Sequence, residues 1–418
     1  MKQKHLCIGV IGSGGRGGVL ADIVHRTKSA RIVACCDINP ATLERNRADY
    51  GPAVFTTDDY RQLLGLDLDG VLIATPDFLH EEQAVAALRR GVAVYLEKPM
   101  AITTKGCDRI LTAAARSGAK LYLGHNMRHM PFVLKMKELI DGGAIGKVKA
   151  CWVRHFVGHG GDFYFRDWHA ERRYSTGLLL QKAAHDIDVI HWLCGGYTRR
   201  VSAMGALTLY GDIRDRLPPV EAPRALVHGS PRDAWPPTGV SGLNHHIDVE
   251  DLSSMQMRLD NGVHAVYSQC HYTPDYWRNY TFIGTRGRLE NFGDGGAGTV
   301  IRVWNRGRRD YDGSGDEVHR VRPPRGGHGG SDPRIIAEFL RYVREGGPMI
   351  TDPLAARESV ATGCRATESL RRGGSALAVP RVSARLARYF TGAVGVDENA
   401  GEPARAACKE PAFAGAAG

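Results

Sequence analysis

At 418 residues the chain exceeds one ordinary domain and suits two, each able to bury its own apolar core. Its 43% hydrophobic and 24% charged residues match globular averages, and no apolar run approaches the roughly 18 to 20 residues of a membrane span, which argues against wholesale disorder and against a membrane protein. The formal charge of +10 is spread among arginines along the chain without the stripe or motif of a nucleic-acid binder, so an anionic cofactor is the expected partner, with an anionic substrate as a further candidate.

The nine cysteines are odd in number, scattered and without a C-x-x-C spacing, so they read as reduced packing thiols and point to the cytoplasm. Residues 1–5 run straight into a strand-like segment, and no leader peptide is expected. From there to about residue 124, β-type runs (6–11, 31–37, 54–56, 70–74, 92–96, 120–124) alternate with helical patterns such as 81–90 and 103–117, the second capped by Thr103 or Thr104. That rhythm predicts a doubly wound parallel sheet. After a helix near 131–141, strands follow one another at 148–157, 201–210, 249–260, 262–270, 280–284 and 299–304, which predicts a large, mostly antiparallel open sheet. One helix, 178–193, interrupts them, and helices at 331–345 and 353–372 follow. Segments 212–242 and 302–330 read as surface loops, and the Ala/Gly-rich stretch from 381 as a flexible tail. The expected division is α/β residues 1–126, an α+β substrate-binding and oligomerisation domain over 127–380, and the tail over 381–418.

The first predicted strand leads into Gly12-Ser13-Gly14-Gly15-Arg16-Gly17, a G-x-G-x-x-G turn opening a helix. Its glycines permit a tight turn and close approach of backbone to a pyrophosphate held at the helix N-terminus. The second strand ends in Asp37, placed to accept from adenosine ribose hydroxyls and to repel a 2′-phosphate. Ile38 and Asn39 follow rather than a basic pair, so a Rossmann domain binding NAD rather than NADP is expected, with Gly12, Gly14, Gly15, Arg16, Gly17 and Asp37 at the cofactor.

Further on come Ala74-Thr75-Pro76 with His80, then Glu97-Lys98-Pro99, then Gly124-His125-Asn126-Met127-Arg128. In this order and spacing they resemble the glucose-fructose oxidoreductase, inositol dehydrogenase and rhizopine catabolism (Gfo/Idh/MocA) family, over roughly residues 5 to 375. The resemblance implies that Lys98 lies beside the nicotinamide and assists proton transfer, that Glu97 helps to hold the cofactor ribose, and that Ala74, Thr75, Pro76, His80 and Asn126 line the cofactor. It also implies a catalytic histidine on a helix of the second domain, matched by His185. The family's aspartate four residues earlier is replaced here by Gln181, which cannot relay a proton as a carboxylate can. Lys182, three residues before His185, falls on the same face of a continuous helix.

Hydride transfer from a C–H bond requires a base for the hydroxyl proton on the same carbon. Two assignments stand: His185 as base with Lys98 orienting the hydroxyl, or a neutral Lys98 as base with His185 and Lys182 positioning substrate. Lys182 could instead pair with a nearby carboxylate. Stretch 155–174, with His155, Arg166, Trp168 and His169, mixes aromatics and donors as a carbohydrate site requires, and His271 and Tyr272 end a predicted strand. These six, with Arg128 and Gln181, are the candidate substrate contacts. Arg166, Arg172 and Arg173 hint at an acidic sugar. The pairs His125/His129 and His155/His159 lack completing ligands, so no metal is expected, and His245-His246 with Asp248, Glu250 and Asp251 reads as a polar strand entrance.

The expected activity is oxidation of a secondary hydroxyl on a sugar, cyclitol or sugar acid, in a homodimer or homotetramer. Two alternatives use the same fold: a redox-cycling glycosidase that retains NAD, and a cofactor-binding protein without turnover.

Overall fold

The computed structural model describes residues 5–158, 161–220, 234–322 and 327–392. The first sheet contains β1 (Leu6–Ile11), β2 (Ala30–Cys36), β3 (Phe55–Thr57), β4 (Gly70–Ile73), β5 (Ala93–Leu96) and β6 (Leu121–Leu123). All six are parallel, in the order β3-β2-β1-β4-β5-β6, which is the doubly wound arrangement read from the sequence. β1 is buried at every position because helices cover both faces, hence its continuous apolar run. The helices of this half are α1 (Gly15–His25), α2 (Pro40–Tyr50), α3 (Tyr60–Leu63), α4 (His80–Arg89) and α5 (Thr104–Ser117). Thr103 caps α5 by accepting from Gly106 N–H, and Gly118 closes it at φ +70°.

α6 (Pro131–Asp141) leads into the second sheet, built from β7 (Val148–Val157), β8 (Thr198–Ala206), β9 (Leu252–Leu259), β10 (His264–Cys270), β11 (Tyr276–Gly284), β12 (Arg288–Phe292), β13 (Val300–Trp304), β14 (Glu317–Arg320) and β15 (Leu377–Ala378). Its order is β14-β13-β12-β11-β7-β10-β9-β8-β15, antiparallel except where β10 runs parallel to β7. β9 alternates exposed and buried residues without a break, the mark of a sheet covered on one face only. That covered face meets α6, α9 (Ala184–Cys194) and α11 (Pro353–Arg371) through Phe132, Met136, Ile187, Ile190 and Ala361.

Four expectations differ from the structure. The predicted helix over 178–193 is two pieces, α8 (Leu178–Gln181) and α9, after the short α7 (Arg172–Ser175). At the break Ala183 N–H reaches back five residues to the Leu178 carbonyl, a local π-type turn. The sequence split at residue 126 also does not separate two cores. α10 (Gly327–Glu345) returns to the first sheet, where Ile335, Ile336 and Phe339 pack with α1 residues Leu20 and Val24. Within the expected tail, Ser383 caps α12 (Ala384–Phe390), and Leu386 is buried with the first sheet's helices. Residues 393–418 lie outside the described part. β14 and the start of α10 likewise fall inside the stretch read as a loop over 302–330. Among the described residues no helix is long and apolar enough to cross a membrane.

Candidate active site

The carboxyl ends of β1, β4, β5 and β6 deliver Gly12, Ala74, Glu97 and Gly124 side by side. Each extends the strand ladder through its own N–H: Ala74 to Ile11 O, Glu97 to Ile73 O and Gly124 to Leu96 O. A ligand in a doubly wound fold meets this edge of the sheet. Gly12 sits at φ +78°, where a Cβ would lie 2.8 Å from Thr75 N, and a Cβ on Gly17 would lie 1.9 Å from Gly12 O. Neither position tolerates a side chain, so the turn stays tight against the helix. Gly14, the N-cap of α1, gives the helix no side-chain cap, and no acidic residue occupies its first turn. The opening amides and the positive end of the helix are thereby left for an anion. Asp37 accepts from Gly14 N–H at 2.9 Å and from Asn39 N–H at 2.9 Å, which fixes its carboxylate beside the turn. These residues fit a dinucleotide.

The remaining cofactor candidates are structural braces as much as linings. Arg16 reaches Glu97 at 2.8 Å and Asp332, at the start of α10, at 2.8 Å. Burial alone would raise the Glu97 pKa, but Arg16 and the Lys98 N–H override it and hold the carboxylate below its ordinary range. Asn126 donates to Asp332 at 3.4 Å. His80 is fully buried between the carbonyls of Pro99 (2.8 Å) and Thr75 (3.0 Å), tying together the loops after β4 and β5.

Three of the predicted reaction-centre residues converge. Lys98 Nζ donates to the Gln181 carbonyl at 3.3 Å, at the point where the helix is interrupted. Lys182 Nζ lies 5.2 Å above the ring of Tyr164 and, among the described residues, pairs with no carboxylate. His185 opens α9 with its ring 6.3 Å from that of His125, and its Nδ1 is buried without a hydrogen-bond partner. Burial, then Lys98, Arg278, His125 and Lys182, push the imidazole well below the ordinary histidine value. Burial lowers the Lys182 ammonium as well, with Arg278 as the opposing like charge rather than Lys98.

The candidate substrate contacts divide. Gln181 stays at the centre, its Oε1 buried and unpartnered. Trp168 stacks on His169 at 3.7 Å and meets Phe78 edge-on at 5.9 Å, forming a wall below the loop after β4. Arg128, by contrast, is committed within the fold: it forms a two-point pair with Asp188 at 2.7 Å, donates to Ile350 O and lies under Trp192. Arg166 is spent on Asp162 and Ser241 O, Arg172 on Glu250 and Arg173 on Glu171, so the acidic-sugar hint drawn from these arginines has lost its basis. His155 is buried behind α9 between Tyr267 and Asp186, with its pKa driven down to about 3 by burial and Arg278. His271 is fully buried under Tyr164. Tyr272 bonds Thr208 at 2.9 Å, and no hydrogen bond or ring contact among the described residues joins it to Lys98 or His185. His159 lies outside the described residues.

Several site residues escaped sequence reading. Asp77 follows Pro76 directly. It is buried with Oδ2 unpartnered, faces His80, Lys98, His169 and Gln181, and burial raises its pKa. Its position immediately after the Ala74-Thr75-Pro76 motif was the available signal. Tyr164 stood within stretch 155–174, and Tyr276 and Arg278 shortly after His271 and Tyr272, but nothing local marked them. Arg278 pairs with Asp186 at 2.9 Å, and Tyr280 and Tyr267 also donate to that carboxylate. Burial would raise the Asp186 pKa, but Arg278 and His155 hold it well below the usual carboxylate range. Asp332, 316 residues from Arg16, carried no signal at all.

Two family profiles match. The oxidoreductase family with an NAD-binding Rossmann fold covers residues 6–125, and the GFO/IDH/MocA C-terminal domain covers residues 133–290. The chain is 26% identical to the protein YteT of Bacillus subtilis over 322 residues, which is 68% of this chain and 75% of that one. It is 30% identical to the inositol 2-dehydrogenase/D-chiro-inositol 3-dehydrogenase of Lactiplantibacillus plantarum over 200 residues, or 46% of this chain and 54% of that protein. It thus spans only about half the length of that relative. A solved levoglucosan dehydrogenase, in complex with NADH and levoglucosan, superposes with a TM-score of 0.73 over 90% of this chain and 100% of its own at 20% identity.

Proposed function

This chain belongs to the Gfo/Idh/MocA oxidoreductases, with an NAD-binding Rossmann domain, and on that premise we propose that it oxidises a secondary hydroxyl of a sugar, cyclitol or sugar acid. Bound NAD would supply the hydride acceptor. The observation that carries the reading is the meeting of Lys98, Lys182 and His185 next to Glu97, which Arg16 ties to the glycine turn. Lys98, held by the Gln181 carbonyl, is placed to donate to the substrate hydroxyl oxygen and fix its direction. His185, kept neutral by burial and surrounding cations, is the proton acceptor for that hydroxyl. The relatives named as inositol and levoglucosan dehydrogenases support a carbohydrate-like substrate.

The test is Lys98→Met. Turnover should fall by about 10²- to 10⁴-fold while NAD affinity changes little, because Lys98 serves the reacting hydroxyl rather than the phosphates. Wild-type turnover in this variant would remove Lys98 from the mechanism. The same reading includes a homodimer or homotetramer, supported by the uncovered outer face of the second sheet, where Trp152 and Met204 are 55% and 71% exposed.

A further inference from the structure

Charge in the pocket is unevenly answered. Glu97 is matched by Arg16, and Arg278 by Asp186 at 2.9 Å. Lys98 has a backbone carbonyl and Lys182 the face of Tyr164; among the described residues no carboxylate lies within 4 Å of either ammonium. Gln181, between them, is neutral and leaves Oε1 unpartnered. Four carboxyls act on the lysines: Glu97, near Lys98, and Asp186, near Lys182, are ionised but already paired with Arg16 and Arg278, while burial pushes Asp77, toward Lys98, and Asp294, toward Lys182, toward their neutral acid forms. A partly buried ammonium without a counter-charge is unfavourable, and a ligand that brings the missing anion gains a charge-assisted hydrogen bond.

We propose that Lys182 is a carboxylate-binding subsite and that the preferred substrate is a sugar acid rather than a neutral sugar. This rests on the oxidoreductase reading above for the identity of the ligand, and on Lys182, Gln181 and Tyr164 for the subsite itself. Lys182 takes the carboxylate, while Tyr164 and the half-exposed Tyr276 offer ring faces to the C–H surface of the sugar.

The experiment titrates the NADH-loaded protein with glucuronate against glucose and galacturonate against galactose, following NADH fluorescence. In at least one pair the acid should bind about tenfold tighter, the scale of one charge-assisted contact. Lys182→Met should bring that ratio close to one with NADH affinity retained, and Lys182→Arg should keep the preference. An equal or inverted ratio in the wild type, a ratio unmoved by Lys182→Met, or no binding of either acid overturns the subsite. If neutral sugars are oxidised under such a result, the oxidoreductase reading survives alone. If the acid binds through Lys182 but no sugar yields NADH from NAD, the subsite stands and the redox reading fails.

Discussion

His185 is buried among cations, and both conditions favour its neutral form. Its pKa lies well below the ordinary 6.5 through burial, with Lys98, Arg278, His125 and Lys182 adding repulsion. The sign follows directly: a depressed pKa favours the neutral imidazole, so the proton-accepting form persists as pH falls through the usual histidine range and is lost only lower. The acid limb of kcat/KM should therefore be centred below pH 6.5 and disappear in His185→Asn. A limb at or above that value that vanishes with His185 would contradict the assignment. The proposed reading takes histidine rather than lysine as the base, since a neutral imidazole is present without deprotonating Lys98.

At the scale of elements, the buried pair of Arg128 and Asp188 fastens the turn after β6 to α9, the helix that carries His185. Both side chains are almost fully excluded from water, with the guanidinium forking onto the carboxylate. Arg128→Met should destabilise the fold by about 3 to 5 kcal/mol in urea titration, because Asp188 is left buried and uncompensated. A substrate-binding arginine would instead raise KM and leave stability nearly intact. Sequence could not decide between these roles: an arginine following a glycine-histidine-asparagine motif looks the same whether its partner is a ligand or a helix 60 residues away. The interruption of the 178–193 helix was hidden for a related reason. Leu178-Leu179-Leu180 and Ile187-Asp188-Val189-Ile190 each suit a helix, and at the break α8 straddles the two cores, with Leu180 among the first sheet's helices and Leu179 in the second sheet's core, on which α9 packs.

For the whole molecule, local signals identified both sheets because periodicity changes from continuous apolar runs in β1 and β4 to strict alternation in β9. The glycine turn and Asp37 were equally legible, since their spacing is short. What stayed hidden was long-range: α10 closing the first sheet, Asp332 reaching Arg16, and Arg278 under α9. The alternation also leaves one face of the second sheet open, with Trp152 outward on β7 and Met204 on β8. On the proposed homo-oligomer through this face, Trp152→Glu should run as a smaller species than the wild type in light scattering, and an unchanged mass would contradict that interface.

The central claim is oxidation with net transfer of hydride to NAD. Purified protein incubated with NAD and a panel of sugars, cyclitols, sugar acids and nitrophenyl glycosides, followed for NADH and nitrophenol together, tests it most directly. NADH should accumulate in proportion to substrate consumed, without nitrophenol. Nitrophenol released with no net NADH would contradict it and make the protein a redox-cycling glycosidase. Tight NAD binding with neither product would contradict it in favour of a protein that binds the cofactor without turning over.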